Sequence, residues 1–101
     1  MIVDGAMNDL IRPTLYDGFH AIVPVTEKNL SSQKSLCDVV GPICESGDYF
    51  AKDRMLPEVS QNDLLAITCS GAYGAVMASN YNSRPLIPEV LVSNDVFSVI
   101  R

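Results

Sequence analysis

Arg12 and Tyr16 stand four residues apart across a helix start, so both project to one side. Together they can hold a carboxylate: the guanidinium fork binds it in bidentate fashion and the phenol adds a donor. On spacing alone, the plainer reading is a solvated arginine beside a half-buried tyrosine. Cys44-Glu45-Ser46-Gly47-Asp48 follows Gly41-Pro42 and brings together a thiol, two carboxylates and a hydroxyl. A cysteine there can act as an acid or a nucleophile, and Glu45 can take an ammonium group. Its plainer reading is a buried small residue beside a charged turn. Tyr73 lies in Gly71-Ala72-Tyr73-Gly74, where flanking glycines let a hydroxyl come close to a ligand. No GxxxxGK[ST] or GxGxxG pattern accompanies it, so it carries no nucleotide fingerprint. His20 alternates with apolar residues and reads as a surface or satisfied histidine rather than a catalytic base. A zinc set of His20 with Cys37, Cys44 and Cys69 is disfavoured, because structural zinc sites draw on short-range ligand pairs. Cys37 and Cys69 read as core.

The elements that must position these groups are short. Ile2-Val3 ends a strand, and Asn8 to Arg12 forms a loop because Arg12 precedes a proline. Pro13 opens a helix over Pro13–Asp17, terminated by Gly18. Phe19, Ala21, Val23 and Val25 alternate with His20, Ile22, Pro24 and Thr26, which predicts a strand with one buried face. Pro24 marks an edge or a bulge. Glu27–Ser35 is a polar loop, Leu36–Val40 a strand broken at Gly41-Pro42, and Tyr49–Lys52 a further short strand. Met55–Asp63 is a connection, Leu64–Cys69 an apolar strand and Gly71–Gly74 a turn. Ala75–Ser79 fits helix or coil. Glu89–Ser93 and Val96–Ile100 flank Asn94-Asp95, a two-residue hairpin signal. The fold class is mainly β, a barrel or sandwich with short helices, in one domain over residues 1–101.

Composition bounds what such a domain can do. With 101 residues, 48% of them hydrophobic, the chain supports one modest core. A formal charge of −5 leaves no basic footprint, which disfavours nucleic-acid binding. Charged residues make up only 19%, so part of the surface is expected to be covered. Three cysteines without CxxC spacing fit reduced thiols in a cytoplasm. No secretory signal is expected at Met1. Leu64–Ser83 is uncharged but too polar for a membrane span.

Three segments taken together closely resemble the diaminopimelate decarboxylases: Val3-Asp4-Gly5-Ala6-Met7-Asn8-Asp9-Leu10-Ile11-Arg12-Pro13-Thr14-Leu15-Tyr16, Val40-Gly41-Pro42-Ile43-Cys44-Glu45-Ser46-Gly47-Asp48, and Gly71-Ala72-Tyr73-Gly74 running into Met77-Ala78-Ser79-Asn80-Tyr81-Asn82-Ser83-Arg84-Pro85. The resemblance implies the C-terminal β domain of an alanine-racemase-like, two-domain enzyme that uses pyridoxal 5′-phosphate (PLP). The N-terminal α/β barrel, with the lysine that attaches the cofactor and the glycine-rich phosphate loop, is expected to be absent. Lys28, Lys34 and Lys52 match no such lysine motif, and Ile2-Val3-Asp4 resembles the interior of a family strand. The resemblance further implies that Arg12 and Tyr16 bind the distal carboxylate of meso-diaminopimelate and Glu45 its distal ammonium. Tyr73 would reach the PLP phosphate and the substrate. Cys44 would serve the partner subunit's site in a homodimer, as the acid that protonates the α-carbon. Related ornithine and arginine decarboxylases typically carry aspartate after this cysteine. Two alternatives are a related PLP decarboxylase for another diamino acid or carboxylated polyamine, and a non-catalytic β module that binds or dimerises.

Overall fold

Val, Ile, Leu and Phe recur in short runs separated by Gly, Pro, Asn and Ser, and each run becomes a brief strand. The computed structural model describes the backbone of residues 1–101 and every side chain except that of Lys28. The elements in order are α1 (Arg12–Tyr16), β1 (Ile22–Pro24), a 3₁₀ turn (Glu27–Asn29), β2 (Lys34–Val40), β3 (Tyr49–Pro57), β4 (Leu65–Ile67), α2 (Gly71–Met77), a second 3₁₀ turn (Tyr81–Ser83), β5 (Val90–Ser93) and β6 (Val96–Val99). This is the expected mainly β chain with short helices. Its strands pair as three antiparallel two-stranded ladders: β1 with β4, β2 with β3, and β5 with β6. No helix among the described residues is long and apolar enough to cross a membrane.

The β2–β3 hairpin is the spine. Its inward residues Val39, Phe50, Ala51 and Leu56 join Leu10 and Ile22 in the core, with Val3, Cys37, Leu65 and Ile67 packed against them. The Val3 amide donates to the Val40 carbonyl (2.9 Å), and the Val40 amide to that of Met1 (3.0 Å), so the opening residues run along β2. A register shift between Cys37 and Val39 bends β2 opposite Asp53, which takes a positive φ of 49°. The Asp53 amide donates to the Asp38 carboxylate there (2.8 Å), satisfying a donor that the irregular ladder would leave open.

Several expectations need correction. Helix α1 runs Arg12–Tyr16, with Asp17 rather than Gly18 in the left-handed conformation that ends it. The strand expected across Phe19–Thr26 shrinks to Ile22–Pro24, and its buried face is the opposite one. His20, Ile22 and Pro24 point inward, while Phe19, Val23 and Val25 are exposed. Partner choice overrides hydrophobicity here: both His20 ring nitrogens find polar partners inside, while Phe19 lies outside under the Arg54 guanidinium, 4.1 Å from its ring centre. Strand β2 begins earlier than expected, at Lys34, and β3 runs on to Pro57 through part of the expected connection. Cys69 is exposed rather than core, and Cys37 is half-buried. Gly71–Gly74 is the first turn of α2 rather than a reverse turn; the Gly74 amide closes on the Ser70 carbonyl at 2.8 Å.

The C-terminal hairpin forms where expected, with Asn94 at a φ of 52° in its two-residue connection. Val90, Leu91, Val92, Val96, Phe97 and Val99 are all exposed along it. This apolar ribbon is the structural counterpart of the low charge content.

Candidate functional site

Two buried carboxylates hold the segments that carry the candidate residues. Asp48 accepts the Met7 amide on Oδ1 (2.7 Å) and the Ile43 amide on Oδ2 (2.6 Å), fixing the Gly41–Asp48 loop to the loop that precedes α1. Gly41 is needed at that junction, since a Cβ there would lie 2.5 Å from the Asp48 carboxylate and 2.7 Å from the Gly5 carbonyl oxygen. The Thr14 hydroxyl on α1 donates to the Gly47 carbonyl and closes the same two segments together. Asp9 accepts the Ala6 amide (2.9 Å) and the Asn8 side-chain amide (3.0 Å), and pairs with Arg84 at 3.7 Å. Arg84 also donates to the Asp4 carbonyl (2.7 Å), while Asn8 exchanges hydrogen bonds with Ser79. The three stretches singled out in the sequence therefore meet.

Arg12 opens α1 at the end of that anchored loop. Its NH1 lies 3.2 Å from His20 Nε2, and its guanidinium carbon sits 5.4 Å from the centre of the Tyr73 ring. Tyr73 is 56% exposed on the first turn of α2, with the Arg12 guanidinium over its ring. Tyr16, one turn beyond Arg12, is 61% exposed. The structure thus joins Arg12 to Tyr73, a link that sequence spacing did not show.

Glu45 and Cys44 lie exposed on the Gly41–Asp48 loop. The Tyr81 hydroxyl donates to Glu45 Oε2 (3.2 Å), and the Ser46 hydroxyl and Gly47 amide donate to Oε1 (3.2 and 3.5 Å). These donors, the Gly47 amide first, hold the Glu45 carboxyl below the ordinary carboxylate range. The same contact raises Tyr81 above an ordinary tyrosine, because ionising it would break the hydrogen bond and set two negative charges together. Tyr81 is thus a further candidate residue; thirty-six positions separate it from Glu45, so no local pattern could have paired them. Cys44 is a free thiol, as are Cys37 and Cys69. The arrangement offers a cation at Arg12, an anion at Glu45 and an accessible thiol beside it. By charge, Arg12 suits a carboxylate and Glu45 an ammonium group.

The sequence pattern of the pyridoxal-dependent decarboxylase C-terminal sheet domain matches residues 1–71. This chain belongs to that family. A diaminopimelate decarboxylase of Zymomonas mobilis is 54% identical over 101 residues, all of this chain and 23% of the relative. A solved structure from Aquifex aeolicus superposes with a TM-score of 0.92 at 50% identity, covering 100% of this chain and 25% of that one. The diaminopimelate decarboxylase of Helicobacter pylori, solved with L-lysine, gives a TM-score of 0.87 at 52% identity, covering 99% and 24%. The chain spans about a quarter of the length of the curated relatives it matches. Toward the family's pyridoxal cofactor it offers a limited donor set that suits a phosphate rim: the exposed Tyr73 phenol, backed by the Arg12 guanidinium. Lys34 and Lys52 lie on β2 and β3, and Lys52 is stacked over Tyr49 at 4.2 Å.

Proposed function

We propose that residues 1–101 form a single domain, the C-terminal β domain of a diaminopimelate decarboxylase that converts meso-diaminopimelate to L-lysine and carbon dioxide. In this reading an N-terminal α/β barrel, outside this chain, holds most of the PLP. The enzyme works in the cytoplasm as a homodimer with shared active sites. The observation that supports it most is the clasp of Thr14 on Gly47, which ties the helix that begins at Arg12 to the loop that carries Cys44 and Glu45. Diaminopimelate has two amino-acid ends, and a site selects it by gripping the end that does not react. Arg12 takes the distal carboxylate through its fork, with Tyr16 adding a phenolic donor. Glu45, kept ionised by Gly47, Ser46 and Tyr81, takes the distal ammonium. Tyr73 donates its hydroxyl to the PLP phosphate and borders the substrate.

When bound, PLP supplies the electron sink that lets the carbon–carboxylate bond break. Cys44 then delivers the proton from its Sγ to the substrate α-carbon, in the partner subunit's site, after carbon dioxide has left. Its exposure on a loop tied down by Asp48 suits a group that must reach across a subunit boundary. The names and identities of the relatives, and the lysine carried by the Helicobacter structure, accord with this substrate. The full-length enzyme should release carbon dioxide from meso-diaminopimelate and leave ornithine untouched. Comparable kcat/KM values for the two would assign the chain to another branch of the family.

A further inference from the structure

We propose that His20 is the positioning residue for Arg12, and that it thereby sets the affinity for the distal carboxylate. The inference rests on the proposed reading of Arg12 as the group that grips that carboxylate. His20 is 1% exposed, among the most buried side chains of the domain, yet both ring nitrogens are engaged. Nδ1 lies 3.0 Å from the Thr68 carbonyl oxygen, which can only accept, so Nδ1 carries the proton. Nε2 lies 3.2 Å from Arg12 NH1, which can only donate, so a lone pair faces the guanidinium. The geometry defines a neutral imidazole in one tautomer.

The ring itself is pinned. The Thr68 amide donates to the Ala21 carbonyl (2.9 Å), next door to His20 across the β1–β4 ladder. Arg54 donates to the His20 carbonyl (2.8 Å), fixing the backbone from β3. Among the described residues, the charged groups hydrogen-bonded to His20 are the guanidinium of Arg12, at the ring, and that of Arg54, at the backbone carbonyl. An arginine side chain is costly to immobilise, and a buried partner lowers that cost at the moment of binding. A carboxylate partner would neutralise Arg12 and compete with the substrate. A neutral acceptor orients the guanidinium and leaves its charge intact. Engaging NH1 also leaves the Nε and NH2 edge, the paired-donor face that a carboxylate prefers. The same guanidinium lies over the Tyr73 ring, 5.4 Å from its centre, which gives it a second neighbour.

Asparagine and glutamine separate the two ring positions. His20→Asn places its amide near Nδ1 and can still bond Thr68, but falls short of Arg12. His20→Gln extends to the Nε2 position and can accept from Arg12. In the full-length enzyme, His20→Asn should raise KM for meso-diaminopimelate about tenfold, the value of one lost charge-assisted hydrogen bond. Its kcat and its PLP absorbance should stay near parental, and His20→Gln should recover most of the KM. Adding His20→Asn to Arg12→Ala should change KM no further. If the Asn and Gln variants behave alike, or if His20→Asn adds its full effect to Arg12→Ala, the inference is overturned while the reading of Arg12 stands. If Arg12→Ala itself keeps the parental KM, the reading of Arg12 falls and takes the inference with it.

Discussion

Asp48 touches no proposed substrate atom, yet its replacement by alanine should disable the site. Its carboxylate accepts two backbone amides, Met7 at 2.7 Å and Ile43 at 2.6 Å, in a place that is 4% exposed. Removing it leaves the buried Ile43 amide and the half-buried Met7 amide without partners, at a cost of up to roughly 1–3 kcal/mol each. The total of up to roughly 2–6 kcal/mol is large beside the 5–15 kcal/mol that holds a typical domain together. Its effect should concentrate in the Gly41–Asp48 loop, which carries Cys44 and Glu45. Even the lower figure raises the local opening constant roughly thirtyfold. Hydrogen exchange of the full-length enzyme, read on peptides covering Met7 and Ile43, should show that increase, together with lost turnover. Asp48→Asn, which keeps one acceptor oxygen, should fall between alanine and the parent. Unchanged protection of both amides in Asp48→Ala would refute the argument that this carboxylate holds the two segments together.

The Glu45–Tyr81 contact can be read by titration. Glu45→Gln removes the negative charge, so tyrosinate absorbance for Tyr81 should appear at lower pH than in the parent. Tyr81→Phe should let the Glu45 carboxyl titrate higher. The lowered Glu45 value makes the contact stabilising above the unfolded carboxyl's titration, with loss as pH falls through the folded value. The raised Tyr81 value makes it stabilising below the unfolded phenol's titration, with loss as pH rises through the folded value. The 101-residue chain alone, incubated with PLP and desalted, should retain no borohydride-reducible chromophore and release no carbon dioxide. Full-length Cys44→Ala should lose roughly 10²–10⁴ in rate. Mixed with a variant lacking the barrel lysine, it should recover roughly a quarter of parental activity, since half of randomly formed dimers then hold one whole site. No recovery, with subunit exchange confirmed by mass, would place Cys44 in its own subunit's site.

Local signals marked the elements well where one rule decided them. Pro13 at a helix start and Asn94-Asp95 between two apolar runs needed only neighbouring residues. Alternation misjudged the strand through Phe19–Thr26, because the buried member is a histidine whose polar atoms are satisfied by Thr68 and Arg12. Cys69 was misjudged for a similar reason: a small apolar residue next to a strand carries no sign of where the strand stops, and here β4 ends at Ile67. For the site, motif resemblance singled out Arg12, Glu45 and Tyr73, and the structure adds what holds them. His20, Tyr81 and Asp48 do that holding over separations that no sequence period encodes. The Tyr73–Arg12 stacking likewise needs α2 folded back beside α1.

The central claim is that Arg12 grips the carboxylate at the unreacted end of the substrate. Decarboxylation removes one carboxylate of meso-diaminopimelate, and the lysine that leaves still carries the other with its ammonium. Cadaverine is the same skeleton with both ammonium groups and no carboxylate. Inhibition constants for L-lysine and for cadaverine should therefore be measured on the full-length parent and on Arg12→Ala. Loss of a charge-assisted contact of about 1.5–3 kcal/mol predicts at least a tenfold weaker lysine constant in the variant, with cadaverine unchanged. Equal shifts for both inhibitors, or none for lysine, would contradict the assignment.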